Sequence, residues 1–426
     1  MNVLVVGGGG REHAIIRKLR ENKTVEKLYA LPGNAGMSAE SECVDIAATD
    51  IEGIVSFAVS HDIGFAVVAP DDPLVLGCAD ALRQAGISTF GPSARAAMIE
   101  GSKVFAKELM KKYGIPTAAY EVFDDLEKAL AYVESAPLPT VIKADGLALG
   151  KGVVIARTRE EARNALREMM ERHKFGKSGD QVVIEEFLEG PEVSVLSFTD
   201  GETLVPMVSS MDHKRALDND EGLNTGGMGT VAPNPYYTPE VAQQCMETIF
   251  LPTIEAMQRE GCPFKGCLYF GLMLTPKGPK VIEYNCRFGD PETQVVLPLL
   301  ESDLLKIMLS TTNGTLADTE VTFSNGAAAC VVMASGGYPE HYEKGKEITG
   351  LTEGQISGSP AVVYHAGTAL TDGKLVTNGG RVLGVTATGD TLPQALEKAY
   401  AACESIHFEG AHKRNDIGQR ALKVLL

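Results

Sequence analysis

Basic residues are the scarce ones in this chain: 39 Lys and Arg stand against 56 Asp and Glu, a net charge of −17. A field of that sign repels polyanions, so nucleic acid and acidic membrane surfaces are not expected partners. It leaves room for a small phosphorylated substrate, because a site can be locally basic. Long apolar runs are missing too, none approaching the roughly 18 residues that a membrane helix needs. The N-terminal MNVLVVGGGG has no basic stretch and no small-residue cleavage site, so no leader is expected. The eight cysteines are scattered without a Cys-x-x-Cys pair. Cys262 and Cys267 have no second pair or nearby histidine to complete a zinc site. Reduced, mostly buried thiols in a cytoplasmic protein are the expectation.

At 426 residues the chain exceeds what one hydrophobic core serves, and two to four domains are expected. Residues 3–6, 27–30 and 65–69 read as strands, and 12–20, 53–60 and 73–85 as helices. That alternation implies a parallel sheet covered on both faces. A long helical pattern over 93–113 leads out of it. Residues 140–144, 152–156 and 181–187 then read as strands of a smaller unit, with a charged helix over 159–172. An antiparallel segment follows (192–209, 268–274, 280–284), with a long helix at 238–258. Beyond residue 326, short strands at 327–334 and 381–388 and a helix at 392–405 suggest a separate α+β module.

Gly7-Gly8-Gly9-Gly10 follows a strand and opens a helix, where free N–H groups and the helix dipole favour an anion. A dinucleotide fingerprint wants a third glycine where this chain has Glu12. It also wants an acidic residue ending the second strand, where this chain has Leu31-Pro32-Gly33-Asn34. A nicotinamide-dependent oxidoreductase is therefore disfavoured. Two readings stay open: a phosphate or carboxylate site with Arg11 and Asn34 nearby, or a tight turn that binds nothing.

The sharpest local signal is VIKADGLALGKG, residues 141–152. Lys143 lies on one strand, glycines stand at 146, 150 and 152, Lys151 adds a second cation, and another strand follows. A Walker A loop would end in Gly-Lys-Ser/Thr and enter a helix, which this does not. A loop between strands can instead close over a triphosphate, its N–H groups meeting phosphate oxygens. Glu185, Glu186, Phe187 and Leu188 end a strand that can offer main-chain groups to adenine, with Glu192 as a carboxylate for ribose hydroxyls. Glu283 and Asn285 share one face of a strand, since side chains alternate. Two oxygen ligands there suit Mg²⁺, which takes few protein ligands.

The strings GGGGREHA, LPGNAG, EGSKVFAK, IKADGLALGKGV, IEEFLEG, MDHKRA, LNTGGMG, EYNCRFGDPETQ and NGGRVLGVTA run in order along nearly the whole chain. Together they resemble the phosphoribosylamine–glycine ligase family of the ATP-grasp superfamily. The resemblance implies an α/β and α+β multidomain fold. It comprises a Rossmann-like N-terminal domain (1–100), an ATP-grasp core (101–325) with a lid subdomain at about 121–190, and a C-terminal α+β domain (326–426). It implies that ATP and glycine give glycyl phosphate, which the amine of 5-phosphoribosylamine attacks. Lys103, Lys143 and the lid loop from Gly146 through Gly150 and Lys151 to Gly152 would contact ATP. Glu185, Glu186, Phe187 and Leu188 would frame adenine, with Glu192 on the ribose. Mg²⁺ or Mn²⁺ would bind Glu283 and Asn285. Asp212, His213, Lys214, Asn224, Gly226, Gly227, Arg287 and Asp290 would line the glycine and acyl-phosphate site. Gly9, Gly10, Arg11 and Asn34 would help hold the phosphoribosyl group. Lys143, Arg287, Asp212 and His213 are the catalytic candidates, with His213 either a general base or a hydrogen-bonded structural residue. Partners are small molecules, and a monomer is favoured. The chain departs from the family pattern at Leu223, where proline is expected, and at Asp71-Asp72-Pro73, where glutamate is expected first. It also has no carboxylate in the strand at 270–274, which many ATP-grasp enzymes use for the metal.

Overall fold

The computed structural model describes residues 1–148, 152–352 and 355–425. The first hundred residues form a five-stranded parallel sheet. Its order is Glu42–Cys43, Lys27–Pro32, Asn2–Gly7, Ile63–Val68 and Ser88–Phe90. Val3 to Val6 are fully buried, as a strand covered by helices on both faces requires. Two expected helices are each broken once. Residues 73–85 divide into Asp71–Val75 and Cys78–Gln84, because Gly77 takes φ 88° between them. Residues 93–113 divide into Ala94–Gly101 and Lys103–Tyr113 at Ser102, which is extended and caps the second helix by accepting from Phe105 N. The same hydroxyl donates to Asp145 Oδ1 at 2.9 Å, so the break fixes this helix start against the glycine-rich loop.

Four antiparallel strands make the lid sheet, in the order Tyr120–Phe123, Val182–Glu186, Thr140–Ala144, Val153–Ala156. Ala129, Val133, Ile142, Leu166 and Ile184 give it a core of its own. It faces a second four-stranded sheet, ordered Leu204–Pro206, Glu192–Thr199, Gly266–Thr275, Gly278–Asn285. The last strand carries a β-bulge: Glu283 pairs with Gly271 and Val281 with Leu272, leaving Ile282 without a partner. Regular alternation would put Val281 and Glu283 on one face. The extra residue instead lets Val281 and Tyr284 enter the core while Glu283 and Asn285 face the cleft. The helix expected at 238–258 runs from Pro239 to Arg259 with a widened turn at Met246–Phe250.

The C-terminal domain has a core of its own, and strands from the middle of the chain complete its sheet. Its sheet is ordered Met211–Asp212, Gly229–Ala232, Ala327–Ala334, Arg381–Gly389, Val362–His365, so two of five strands come from the middle of the chain. The helix Leu392–Cys403 covers it. Sharing a sheet brings both ends of the segment between Asp212 and Gly229 against the C-terminal residues. Among the described residues no helix is long and apolar enough to cross a membrane, and all eight cysteines are free.

Candidate active site

The cleft between the lid and central sheets is floored by lysine. Lys143, buried on its lid strand, donates to the Ile282 carbonyl at 3.0 Å, the group that the bulge frees from the ladder. It also meets Glu185 Oε1 at 3.1 Å. Lys107 approaches the other oxygen of Glu185 at 3.2 Å, and both lysines are nearly inaccessible. Burial pushes the Lys107 ammonium down to about 8, with Glu185 opposing that shift. Lys103 opens its helix beside the loop and donates to the Gly146 carbonyl at 2.9 Å. Its pKa is lowered by burial, with Glu283 opposing.

Glu283 stands where these cations converge. Lys214, 3.4 Å away, lowers its pKa to about 2 against the effect of burial, and Lys143 and Lys103 add to the attraction. Lys214 is in turn raised well above its usual value by Glu283, and its ammonium lies 3.7 Å from Glu192. Behind Lys214, burial and then Glu292 raise the carboxyl of Asp212. Glu292 accepts from Tyr269 Oη at 3.1 Å and Ser194 Oγ at 3.3 Å. Gly227 passes at φ 121°, where a Cβ would come 2.7 Å from Asp212 Oδ1, so only glycine fits that approach.

Arg287 is anchored beside them. Its Nη2 reaches Glu100 at 2.9 Å and Asp71 at 3.7 Å, while its Nε is a buried donor without a partner. Burial opposes its charge, and Glu100 and Asp71 more than restore it. Burial raises Glu100 itself to about 7, with Arg287 opposing. Asp290 is held below the usual carboxylate range against burial by Arg381 and Arg11. Arg381 crosses from the C-terminal sheet to donate to the carbonyls of Gly226 and Asp290, both at 2.8 Å.

Some sequence expectations meet other tasks here. His213 is not placed as a general base: it is 1% exposed, Nδ1 meets the Gly229 carbonyl at 3.1 Å, and Nε2 accepts from Gly418 N at 3.1 Å. Burial and then Arg414 lower its pKa to about 4, so the ring is a neutral bridge between backbone groups. Asn34 is likewise committed, donating to the carbonyls of Gly8 and His365 and accepting from Gly36 N and Met37 N. In the N-terminal loop Gly9 N and Arg11 Nε both donate to Glu12, at 2.6 Å each. Glu12 thus takes the Gly9 N–H, and Gly10 packs against Gln294. Glu186 is exposed, accepts from Ala119 N at 3.3 Å and pairs with Lys280, while Phe187 and Leu188 are half-buried beside it. Asn224 ends a hairpin strand paired with Arg215. Gly152 packs against Ala148 and Gly146 against Ser178. Gly150 and Lys151 lie outside the described residues. Sequence reasoning missed Glu100, Lys107, Asp145, Tyr269, Glu292 and Arg381 as site residues. Lys107 was detectable four residues after Lys103 on one helix face. Glu100, Asp145, Glu292 and Arg381 lie within EGSKVFAK, IKADGLALGKGV, EYNCRFGDPETQ and NGGRVLGVTA without having been given a role, and Tyr269 lies outside the quoted strings.

Two facing antiparallel sheets, a lysine floor and an ionised glutamate on the edge strand of the central sheet define an ATP-grasp enzyme. Residues 101–293 match the ATP-grasp (A) domain of phosphoribosylglycinamide synthetase, residues 1–100 its N domain and 328–420 its C domain. Phosphoribosylamine–glycine ligase of Caldanaerobacter subterraneus subsp. tengcongensis is 50% identical over 98% of this chain and 99% of its own. That of Vibrio vulnificus is 48% identical, with 99% of each chain covered. The crystal structure of the Thermotoga maritima phosphoribosylamine–glycine ligase superposes with a TM-score of 0.85 at 36% identity, covering 98% of this chain and 100% of that one. A biotin carboxylase of Campylobacter jejuni shares the fold at TM-score 0.75 and 14% identity, covering 97% and 92%. The chain belongs to the phosphoribosylglycinamide synthetase family.

Proposed function

We propose that this chain joins glycine to 5-phosphoribosylamine, with ATP converted to ADP and phosphate, in the synthesis of purines. A glycine carboxylate oxygen attacks the γ-phosphorus, ADP leaves, and glycyl phosphate forms. The amine of phosphoribosylamine then attacks the acyl carbon and phosphate departs, giving glycinamide ribonucleotide. A carboxylate is a poor electrophile, so activation must precede amide formation. Positioning and charge stabilisation then supply most of the catalysis.

The observation that carries this reading is the lysine cluster around Glu283 where the two sheets meet, with Lys214 3.4 Å from its carboxylate and Lys143 donating to the adjacent Ile282 carbonyl at 3.0 Å. The lysines from the lid side are assigned to ATP phosphates. Lys214, Asp212 and the 224–229 loop are assigned to glycine. Arg287, whose buried Nε has no protein acceptor, is assigned to the acyl phosphate. Adenine is placed along Glu185–Leu188, with ribose toward Glu192. Phosphoribosylamine is placed where the 7–10 loop, Arg287 and Asp290 adjoin. Glu283, held ionised, and Asn285 on the same strand face form a hard-oxygen donor pair that fits Mg²⁺ or Mn²⁺. A divalent cation held there offsets triphosphate charge. The favoured setting is the cytoplasm and the favoured state a monomer, with small molecules as partners. The test is ADP release with and without each of glycine and phosphoribosylamine. Release independent of glycine overturns the reading.

A further inference from the structure

Lys214 and the 224–229 loop are joined by the hairpin Arg215–Leu217 and Glu221–Asn224. Little holds this hairpin from within. Leu217 is 47% exposed and Leu223 50%, so its apolar side chains are poorly buried. Its turn drives Asn219 and Asp220 into the left-handed region, at φ 60° and 57°. Residues with a Cβ resist that conformation, and a two-stranded hairpin this short is not stable alone.

The chain's residues 412–418 grip it from outside. His412 Nε2 meets the Ala216 carbonyl at 2.7 Å. Arg414 donates to the Arg215 carbonyl at 3.1 Å and to Asp220 at 3.0 Å. Asn415 N donates to Asp218 at 2.8 Å, and the left-handed Asn219 gives its N–H to Asp416 at 2.8 Å. Arg414 is 1% exposed and held by Asp416 through Nε and Nη2, each at 2.7 Å, a bidentate pairing that fixes its plane. Gly418 N then reaches His213, whose ring and backbone N–H both contact the Gly229 carbonyl. The grip therefore extends to both ends of the segment that carries Lys214.

We propose that residues 412–418 are a latch that positions Lys214 and the 224–229 loop for glycine, with Arg414 as the positioning residue. This rests on the assignment of those groups to glycine. The latch makes no contact with Lys103 or Lys143, so its direct effect falls on Lys214 and the 224–229 loop, and ATP feels it only through the Lys214 pairings with Glu192 and Glu283.

The full-length Arg414→Met enzyme tests it. The expected result is a KM for glycine raised on the order of tenfold, as small displacements of positioned groups produce. Binding of a non-hydrolysable ATP analogue should weaken by no more than a few-fold, less than the change for glycine. Amide hydrogen exchange should accelerate over residues 213–229 and not over 143–148. Adding Asn219→Gly, a residue at ease in the left-handed turn, should recover part of both losses, which a general packing role for Arg414 would not allow. Should Arg414→Met fail to fold, Asp218→Ala removes a surface acceptor of the latch and should show the same pattern more weakly. A folded variant with wild-type glycine KM and unchanged exchange at 213–229 overturns the proposal. So do equal losses for glycine and the ATP analogue. The exchange measurement needs no substrate. Faster exchange at 213–229, together with a wild-type enzyme whose ADP release ignores glycine, would sink the glycine assignment alone.

Discussion

The chain has two glycine-rich loops after strands, and they differ in the charge set against them. In the first, residues 7–10, the glycines serve close packing. A methyl at Gly8 would lie 2.6 Å from the Gly33 carbonyl, and one at Gly9 would lie 2.8 Å from Glu12. The Gly9 N–H is already taken by Glu12, so the loop carries its own anion. The second, from Gly146 onward, has lysines on either side: Lys103 at the Gly146 carbonyl and Lys143 on the preceding strand. What separates the two is the charge set against them, a carboxylate at the first and lysines at the second.

That contrast can be broken by mutation. Lys143→Ala should leave the fold intact and cost on the order of a hundredfold or more in rate, as losing one preorganised charge contact does. Activity within a few-fold of wild type would remove the second loop from the chemistry. Glu283→Gln keeps the side-chain size and replaces a hard anionic ligand by an amide. Its activity should fall and partly return at high Mg²⁺ or with Mn²⁺. A Mg²⁺ dependence identical to wild type would show that Glu283 holds no metal. Glu12→Ala should instead lower stability by about 1–3 kcal/mol, because Gly9 N and Arg11 lose a buried acceptor. The KM for ATP should not change, and a weakened ATP affinity would erase the distinction between the loops. The smallest effect is in exchange: a non-hydrolysable ATP analogue should slow amides at 143–148 and 152–154 and leave 7–11 as they were.

Much of this was legible beforehand because local signals and global packing agree. The parallel sheet, the lid strands and the lysine on Thr140–Ala144 follow from apolar runs and glycine punctuation. The break at Ser102 had a local signal in Gly101-Ser102, a poor helix former followed by a capping residue, but the contact with Asp145, 43 positions away, was not legible. Nor was the shared C-terminal sheet, whose strand Met211–Asp212 is too short to leave a periodic trace. His213 and Asn34 looked available because sequence shows a polar side chain and hides its partners, Gly418 and His365 among them. Arg381 and Glu100 reach the site from elements distant in sequence, and no spacing rule joins them to Asp290 or Arg287.

The unpaired Ile282 gives the last central strand a reading frame. Ahead of it the core-facing residue is Val281; after it, Tyr284. Loss of that one residue would restore an unbroken ladder and shift the phase of everything on one side. Either Val281 would turn toward the cleft, or Glu283 and Asn285 would turn into the apolar core. Descendants of this sequence can therefore exchange Ile282 for another side chain far more readily than they can shorten the strand, because its carbonyl and its place in the count do the work.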